Sequence, residues 1–465
     1  MAILQSFGAA ETVTGSCHLL KLQNGIKILV DCGLFQGYAE ERNHDPFGFE
    51  PEDVDFLLIT HGHLDHVGRI PKLVKEGFRG TIITHSSTME LAEIVLLDSA
   101  KLMKESYKTS FKKAQRRGEE DEVAKPLYTE SDVKSVFSMP MIFTSYDEKI
   151  DLGNNISVNF KNAGHILDSA IIELFFEENG TVKKVVFSGD LGNDDELVTP
   201  LPDILEDADS LLIESTYGDR NHKGVKESDA ELRQVILETF AKRGNVLIPS
   251  FAIERTQELL CLLKQMYYEG ELPECKIFLD SPMAIRATEV YKKYHEELNE
   301  ICNEFLERDG AIFDFPYLHY SSKVEESKKI NEIKSHCIII AGAGMCNGGR
   351  ILQHFKHRLW NERNALVFVG YQVEGTLGRY IVDGAKTIKL YGEEIVIKAK
   401  VHTINGFSAH ADQNGLIEWM GKFKRLDNIF IVHGERDKQE IFRQEIERRL
   451  NKKSHIVKHG EKIGI

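Results

Sequence analysis

The sequence predicts a layered α/β fold, and three features of its pattern support this prediction. Short β-rich runs alternate with helix-like segments along the whole chain, which is typical of layered α/β architecture. Residues 220–395 contain four strand-like segments separated by helical stretches, as expected of a parallel βαβ set. Several apolar strands also end directly at polar residues, and in such folds these strand ends share one edge of the sheet.

The bulk composition is that of a globular protein, with 465 residues of which 42% are hydrophobic and 28% charged. Its apolar runs are far shorter than the roughly 18 residues needed to cross a bilayer, and the N-terminus does not resemble a secretory signal. We therefore expect no membrane association and a cytoplasmic location. The net charge of −15 does not indicate a polyanionic partner, so nucleic acid would need a local basic cleft or a bound cation.

The strongest functional signal is the stretch "LLITHGHLDHVGR" at residues 57–69. The apolar run ends at Thr60, Gly62 permits a turn, and a helical pattern resumes at Leu64. The donor side chains therefore surround one point, as a metal cluster requires. These donors are His61, His63, Asp65 and His66.

Other apolar strands also end at residues that bind metals. Alone, each such residue is most simply explained as a cap or a turn, but their combination around HxHxDH indicates a metal site. The residues that follow these strands are Asp31, Asp190, Glu214 and His433, and His165 lies in the loop "NAGHILDSA".

Counting the donors predicts two metal ions, which share Asp190 and a water molecule. Imidazole and carboxylate donors favour zinc, with manganese or iron as alternatives. The seven scattered cysteines form no close pair, which argues against a thiolate site. The expected chemistry is hydrolysis. The seven donors are His61, His63, Asp65, His66, His165, Asp190 and His433.

At these residues the sequence resembles the metallo-β-lactamase superfamily, and more specifically its β-CASP nucleases. This bacterial and archaeal group is related to ribonuclease J and to the endonuclease of the mRNA 3′-end cleavage complex. The resemblance covers essentially the whole chain. The matching positions are Asp31 in "VDCG", the "HGHLDH" stretch, His165 and Asp190, then Glu214 in "IESTYGDR" (motif A), His410 in "GFSAHAD" (motif B) and His433 in "VHGE" (motif C).

The resemblance implies an αββα sandwich at residues 1–217, a parallel α/β β-CASP domain inserted at 218–396, and completion of the sandwich at 397–465. It also implies that Asp31 supports the metal ligands and that His433 joins the second metal. Three residues are implied to take part in catalysis: Asp65, His410 and Glu214, the last two in proton transfer to the leaving oxygen. A histidine at motif C implies an RNA substrate.

The residues themselves give weaker support for the remaining sites. The polar loop around His410 suits a general acid, although a surface histidine beside a helix N-cap explains the pattern equally well. Arg255, Arg350 and Arg379 follow strands of the inserted domain and could grip an RNA backbone. Lone arginines are more often solvated or salt-bridged.

We therefore predict a two-zinc ribonuclease acting on RNA, with single strands favoured, in RNA processing or decay. It uses a zinc-activated water and leaves a 3′-hydroxyl and a 5′-phosphate. The alternative is a small-molecule metallo-hydrolase such as a thioesterase or lactonase, which would not need an insertion of this size. A catalytically silent RNA-binding subunit is disfavoured because no ligand is missing. The sequence does not decide whether cleavage is internal or from the 5′ end, which metal is bound in the cell, or whether the chain forms a homodimer.

Overall fold

The computed structural model describes residues 1–193, 196–370 and 372–465. The chain divides into two compact units. Unit 1 comprises Met1–Gly192, Pro202–Asn221 and His410–Ile465, and unit 2 comprises Asn193–Leu201 and His222–Ala409. No helix within the described residues is both long enough and apolar enough to cross a membrane.

The strands are mostly short and rich in β-branched and apolar residues, as expected for the interior of a layered fold. In chain order they are β1 (Ile3–Ser6), β2 (His18–Lys21), β3 (Lys27–Val30), β4 (Phe56–Leu58), β5 (Thr81–Thr84), β6 (Met141–Phe143), β7 (Ile150–Gly153), β8 (Ile156–Asn162), β9 (Ala170–Glu178), β10 (Thr181–Phe187), β11 (Asp207–Ile213), β12 (Val246–Pro249), β13 (Lys276–Leu279), β14 (Leu318–Tyr320), β15 (Cys337–Ala341), β16 (Ala365–Phe368), β17 (Thr387–Leu390), β18 (Glu393–Val396), β19 (Lys400–Thr403), β20 (Arg425–Ile431), β21 (Ser454–Ile456) and β22 (Ile463–Gly464).

The helices range from one turn to thirty residues. In chain order they are α1 (Leu64–Val67), α2 (Ile70–Lys75), α3 (Ser86–Gln115), α4 (Glu130–Val136), α5 (Val225–Ala241), α6 (Arg255–Glu269), α7 (Pro282–Lys293), α8 (Glu300–Asp309), α9 (Val324–Ile330), α10 (Ile351–Arg358), α11 (Leu377–Val382), α12 (Gln413–Gly421) and α13 (Arg436–Leu450).

Unit 1 contains two seven-stranded sheets, with strand orders β22-β1-β2-β3-β4-β5-β6 and β21-β20-β11-β10-β9-β8-β7. In the first sheet β3, β4, β5 and β6 are parallel neighbours. In the second sheet β10, β11 and β20 are parallel, with Leu211 opposite Val186 on one side and Ile429 on the other. Because parallel strands end at the same edge, the residues that follow each set are brought together.

The two sheets of unit 1 face each other across a shared apolar core. Leu20, Val30 and Leu58 of the first sheet belong to the same buried cluster as Phe160 and Phe187 of the second. The outer face of the second sheet packs against apolar residues of α12 and α13. This arrangement is the predicted αββα sandwich. Burial of each large apolar side chain contributes about 1.5–3 kcal/mol, so this core holds the two sheets in place.

Unit 2 is built around a six-stranded parallel sheet with strand order β14-β13-β15-β12-β16-β19. Its central strands are completely apolar and buried on both faces, as a parallel sheet requires. Phe355, Leu359 and Ile381 of the flanking helices share a core with these strands. The last strand, β19, lies beyond residue 396 and pairs with β16.

Candidate metal centre

The parallel strands of unit 1 end at residues that can bind metals. Asp31 and Glu214 follow β3 and β11 directly, whereas Asp190 and His433 follow β10 and β20 after one or two residues. Asp31 and His433 have positive φ angles of 60° and 51°, at the points where the chain leaves the strands. Strained backbone of this kind is common at functional sites.

The "HGHLDH" stretch leaves β4 and enters α1, whose first turn carries Asp65 and His66. The loop after β3 passes very close to this turn, because the Cys32 amide donates to the His66 carbonyl at 2.8 Å. A Cβ atom on Gly33 would lie 1.5 Å from the carbonyl oxygen of Asp65. Glycine at position 33 therefore allows the two segments to meet.

A first donor group consists of His61, His63, His165 and Asp190, whose donor atoms all lie within 4.8 Å of one another. Nε2 of His61 and Nε2 of His165 are each 3.2 Å from Nδ1 of His63. The same two Nε2 atoms lie 3.6 and 3.7 Å from Oδ2 of Asp190. Three ring nitrogens and one carboxylate oxygen thus converge on one point.

A second donor group consists of Asp65, His66 and His433, again within 4.8 Å of one another. Nε2 of His433 lies 3.2 Å from Nε2 of His66 and 3.6 Å from Oδ2 of Asp65. Asp190 adjoins this group too, because its Oδ1 is 3.6 Å from His433 Nε2 and its Oδ2 is 3.3 Å from His66 Nε2. One carboxylate therefore contacts both donor groups.

The chemistry of these donors fits metal ions. Burial holds the pKa of His61 well below its usual value and lowers the pKa of His63 to about 4, so both rings are neutral at pH 7 and offer lone pairs. Oδ1 of Asp190 is buried and has no hydrogen-bond donor among the described residues. A buried carboxylate oxygen without a donor is costly unless a cation binds it.

Hydrogen bonds from neighbouring groups orient the ring nitrogens. Nδ1 of His66 donates to Oδ2 of Asp31 at 2.7 Å, Thr60 Oγ1 lies 3.0 Å from Nδ1 of His61, and Thr216 Oγ1 lies 3.1 Å from Nδ1 of His433. Such contacts fix which ring nitrogen faces a metal. Asp31 is a predicted site residue, whereas Thr60 and Thr216 are not, because a threonine next to a strand end is ordinary in sequence.

Glu214 and His410 form a pair beside the first donor group. Glu214 is completely buried, its Oε1 accepts from the Leu191 amide at 2.6 Å, and its Oε2 lies 3.2 Å from Nδ1 of His410. The His410 ring lies 4.4 Å from the His165 ring. Burial opposes protonation of His410, but the charge of Glu214 outweighs it and raises the pKa to about 9. The neighbouring helix is capped by Asp412, so His410 does not serve as its N-cap.

The three predicted RNA-binding arginines lie in unit 2, and their surroundings differ. Arg350 donates through Nη1 to Asp280 Oδ1 at 2.7 Å and also bonds two serine carbonyls. Arg379 forms an exposed ion pair with Asp383 at 2.8 Å. Arg255 is buried, with only 5% of its surface exposed. Arg350 and Arg379 thus pair with acidic side chains of the protein, and an RNA-binding role for the three arginines stays a prediction.

Three family sequence models match separate parts of the chain. The metallo-β-lactamase superfamily matches residues 11–128, the β-CASP domain matches residues 256–381, and the "Zn-dependent metallo-hydrolase RNA specificity domain" matches residues 394–457. The β-CASP match lies entirely within unit 2.

A ribonuclease from Thermus thermophilus is 41% identical to this chain over 435 residues, which are 93% of each protein. The chain belongs to the β-CASP family. An RNase J-like protein from Methanocaldococcus jannaschii shares 32% identity over 94% of this β-CASP chain and 93% of that protein. Transcription termination factor FttA from Methanosarcina mazei shares 32% identity over 92% of this chain and 66% of that protein.

Membership of the β-CASP family confirms the predicted fold class, a metallo-β-lactamase sandwich with an inserted β-CASP domain. It also agrees with the metal-binding chemistry of the clustered histidines and aspartates. The individual roles of the clustered residues, and the domain boundaries at 217 and 396, stay predictions.

Proposed function

We propose that this β-CASP protein is a metal-dependent ribonuclease that hydrolyses RNA phosphodiester bonds in RNA processing or decay. The position of Asp190 carries this proposal, because its carboxylate contacts both donor groups while the His410–Glu214 pair lies beside it. The RNA specificity match and the ribonuclease relatives support RNA as substrate. Neither the family models nor these relatives favour a thioesterase or lactonase.

The proposed site holds two zinc ions, with manganese or iron as alternatives. Asp190 would be a ligand to both ions, because its carboxylate adjoins both donor groups. It lies near His61 and His165 of the first group and near His66 and His433 of the second. The other first-ion ligands are His61, His63 and His165; the other second-ion ligands are Asp65, His66 and His433. When bound, such a pair lowers the pKa of a shared water and stabilises the charge that develops on a phosphodiester.

Asp65 and His410 are assigned to proton transfer. The carboxylate of Asp65 lies at the edge of the second donor group and is partly exposed, so it can accept a proton from the attacking water. Nδ1 of His410 faces Glu214, which leaves Nε2 to donate its proton to the leaving 3′-oxygen. Proton donation at this atom yields the 3′-hydroxyl of the upstream fragment and leaves the phosphate on the 5′ end of the downstream fragment.

Glu214 is assigned the role of holding His410. Its carboxylate is fixed by the Leu191 amide, so the imidazolium form of His410 is stabilised before substrate arrives. We further propose residues 1–217 and 397–465 as the metallo-β-lactamase domain and 218–396 as the β-CASP domain. The compact units have other bounds, because unit 2 includes Asn193–Leu201 and extends to Ala409. A single RNA strand is the favoured substrate, because the donor groups are largely buried and a narrow strand reaches them more easily than a duplex.

The test uses one 5′-labelled RNA oligonucleotide, the same RNA annealed to its complement, and the matching DNA. We expect cleavage of the single-stranded RNA, loss of cleavage with a chelator, and recovery when zinc is added back. The product lengths distinguish endonuclease from 5′-exonuclease action. Chelator-resistant cleavage, or hydrolysis of a thioester or lactone by a zinc-loaded protein that leaves RNA intact, would contradict the proposal.

A further inference from the structure

Unit 2 contains a separate group of buried carboxylates, formed by Glu196, Glu254 and Glu258. One oxygen of each lies within 4.8 Å of the others. Their exposed fractions are 8%, 1% and 4%. None of these residues belongs to the metal centre of unit 1.

Two of the carboxylates are held in place by hydrogen bonds. Glu258 accepts from the amides of Leu197 and Val198 at 3.3 and 2.8 Å. Glu254 precedes α6 and accepts at Oε2 from the Tyr291 hydroxyl at 2.6 Å. Glu254 is the residue immediately before α6 and has a positive φ angle of 65°, and Glu258 lies in the first turn of that helix.

The third carboxylate points to a missing partner. Oε1 of Glu196 is buried and has no hydrogen-bond donor among the described residues, and the same is true of Oε1 of Glu254. More than nine-tenths of Glu196 is buried, yet its carboxyl group reaches the other two acids. Acceptor oxygens buried together without donors are costly unless something positive lies between them.

The local charge and the donor type indicate which occupant fits. The guanidinium of buried Arg255 interacts electrostatically with Glu196 and Glu254, which offsets one of the three negative charges. The remaining two charges match a divalent cation. All donors are carboxylate oxygens, and hard cations such as Ca²⁺, Mg²⁺ and Mn²⁺ prefer oxygen ligands.

We propose that Glu196, Glu254 and Glu258 bind one hard divalent cation, at a site separate from the catalytic centre. The cation ties residues 196–201 to the first turn of α6. The segment is also held by Asn299, whose side chain donates to the carbonyls of Glu196 and Thr199 at 2.7 Å. The cation adds an ionic link to this neutral contact, so its binding stabilises unit 2.

Protons are the competing occupants of this site. Burial and the neighbouring carboxylates raise the pKa values of Glu196 and Glu254, so in the absence of a cation both groups retain protons at higher pH than usual. A cation must displace these protons, and its binding therefore strengthens as the pH rises.

The first test measures metal content after zinc loading, incubation with Mn²⁺ or Ca²⁺, and gel filtration. Zinc is counted in the same samples, so that metal in the histidine centre is accounted for. We expect one additional Mn²⁺ or Ca²⁺ per wild-type chain. Glu196→Gln should weaken this binding at least about tenfold, whereas the exposed control Glu307→Gln should not. No additional metal in the wild type, or equal binding by Glu196→Gln, would overturn the proposal.

A second test does not depend on the folding of the glutamate variant. Tb³⁺ is a hard cation whose luminescence is excited through a nearby tyrosine, and Tyr291 contacts Glu254 directly. We expect Tb³⁺ emission from the wild type, loss of that emission on addition of excess Ca²⁺, and strong reduction in Tyr291→Phe without loss of bound metal. Emission that Ca²⁺ does not displace, or that persists in Tyr291→Phe, would show that the glutamates are not the site.

Discussion

Nδ1 of His66 donates a hydrogen bond to Oδ2 of Asp31 at 2.7 Å, while Nε2 of the same ring lies 3.3 Å from Oδ2 of Asp190. Asp31 is itself fixed, because its Oδ1 accepts from the Thr60 amide at 2.8 Å. The backbone of the first sheet thus sets the orientation of a proposed metal ligand. With the proton held on Nδ1, the lone pair of Nε2 faces the donor cluster.

Asp31→Asn should weaken zinc binding about 10- to 100-fold, because an amide no longer holds the Nδ1 proton of His66 in the same way. Competition with a chromophoric chelator measures the affinity. Asp53→Asn, at a half-exposed position, is the matched control and should bind zinc normally. Equal affinities for the Asp31 and Asp53 variants would show that Asp31 does not orient His66.

His410→Ala should lower the rate of RNA cleavage about 10²- to 10⁴-fold while the zinc content stays unchanged, because the proposed proton donor is lost and no ligand is removed. Single-turnover cleavage with saturating enzyme measures this step. His455→Ala removes a partly exposed histidine that pairs with Glu461 and is expected to leave the rate unchanged. Wild-type rates in a folded, zinc-loaded His410→Ala protein would refute the assignment.

Arg350→Ala should destabilise the protein by about 2 kcal/mol or more, because Asp280 is completely buried and loses an ionic partner. Arg379→Ala removes an exposed i,i+4 pair and should cost less than about 0.5 kcal/mol. Urea unfolding of both variants measures the difference. If Arg350→Ala keeps full stability but binds RNA more weakly, then Arg350 contributes to RNA binding and does not stabilise the fold.

His85 should make stability depend on pH. Its buried ring packs 4.5 Å from the ring of Tyr146, and burial lowers its pKa to about 4. As the pH falls below the usual value of about 6.5, the unfolded chain takes up this proton first. The stability contributed by neutral His85 is therefore complete above about pH 6.5 and is lost towards pH 4, by about 3 kcal/mol in total.

The measurement for His85 is the free energy of unfolding at pH 7.5 and pH 5 for the wild type and His85→Gln. Other histidines also titrate in this range, so the quantity of interest is the difference between the two proteins. The variant should lose less stability on acidification. An identical loss in both proteins would mean that His85 does not carry this pH dependence.

The proposed metal ligands could be found from sequence because each follows an apolar strand or lies in a compact motif. Asp190 and His433 are 243 positions apart in the chain, yet their strands belong to one parallel set, and strand ends of such a set meet. The fold class was predictable because segments with strand periodicity and segments with helix periodicity alternate clearly along the sequence.

Contacts made by very short strands, and by side chains away from these strand ends, could not be predicted. Strands β14 and β19 are three and four residues long and contain few apolar residues. Their place at the edges of the six-stranded sheet of unit 2 is therefore shown only by their pairing with β13 and β16. The ion pair of Arg350 with Asp280 joins residues 70 positions apart. The carboxylate group of Glu196, Glu254 and Glu258 likewise has no spacing that a sequence pattern would reveal.

Anomalous X-ray diffraction at the zinc edge, from crystals of the active, zinc-loaded protein, tests directly whether Asp190 lies between two metal ions. We expect two peaks, one beside His61, His63 and His165 and the other beside His66 and His433, with Asp190 contacting both. A single peak in fully active protein, or peaks away from Asp190, would contradict this expectation.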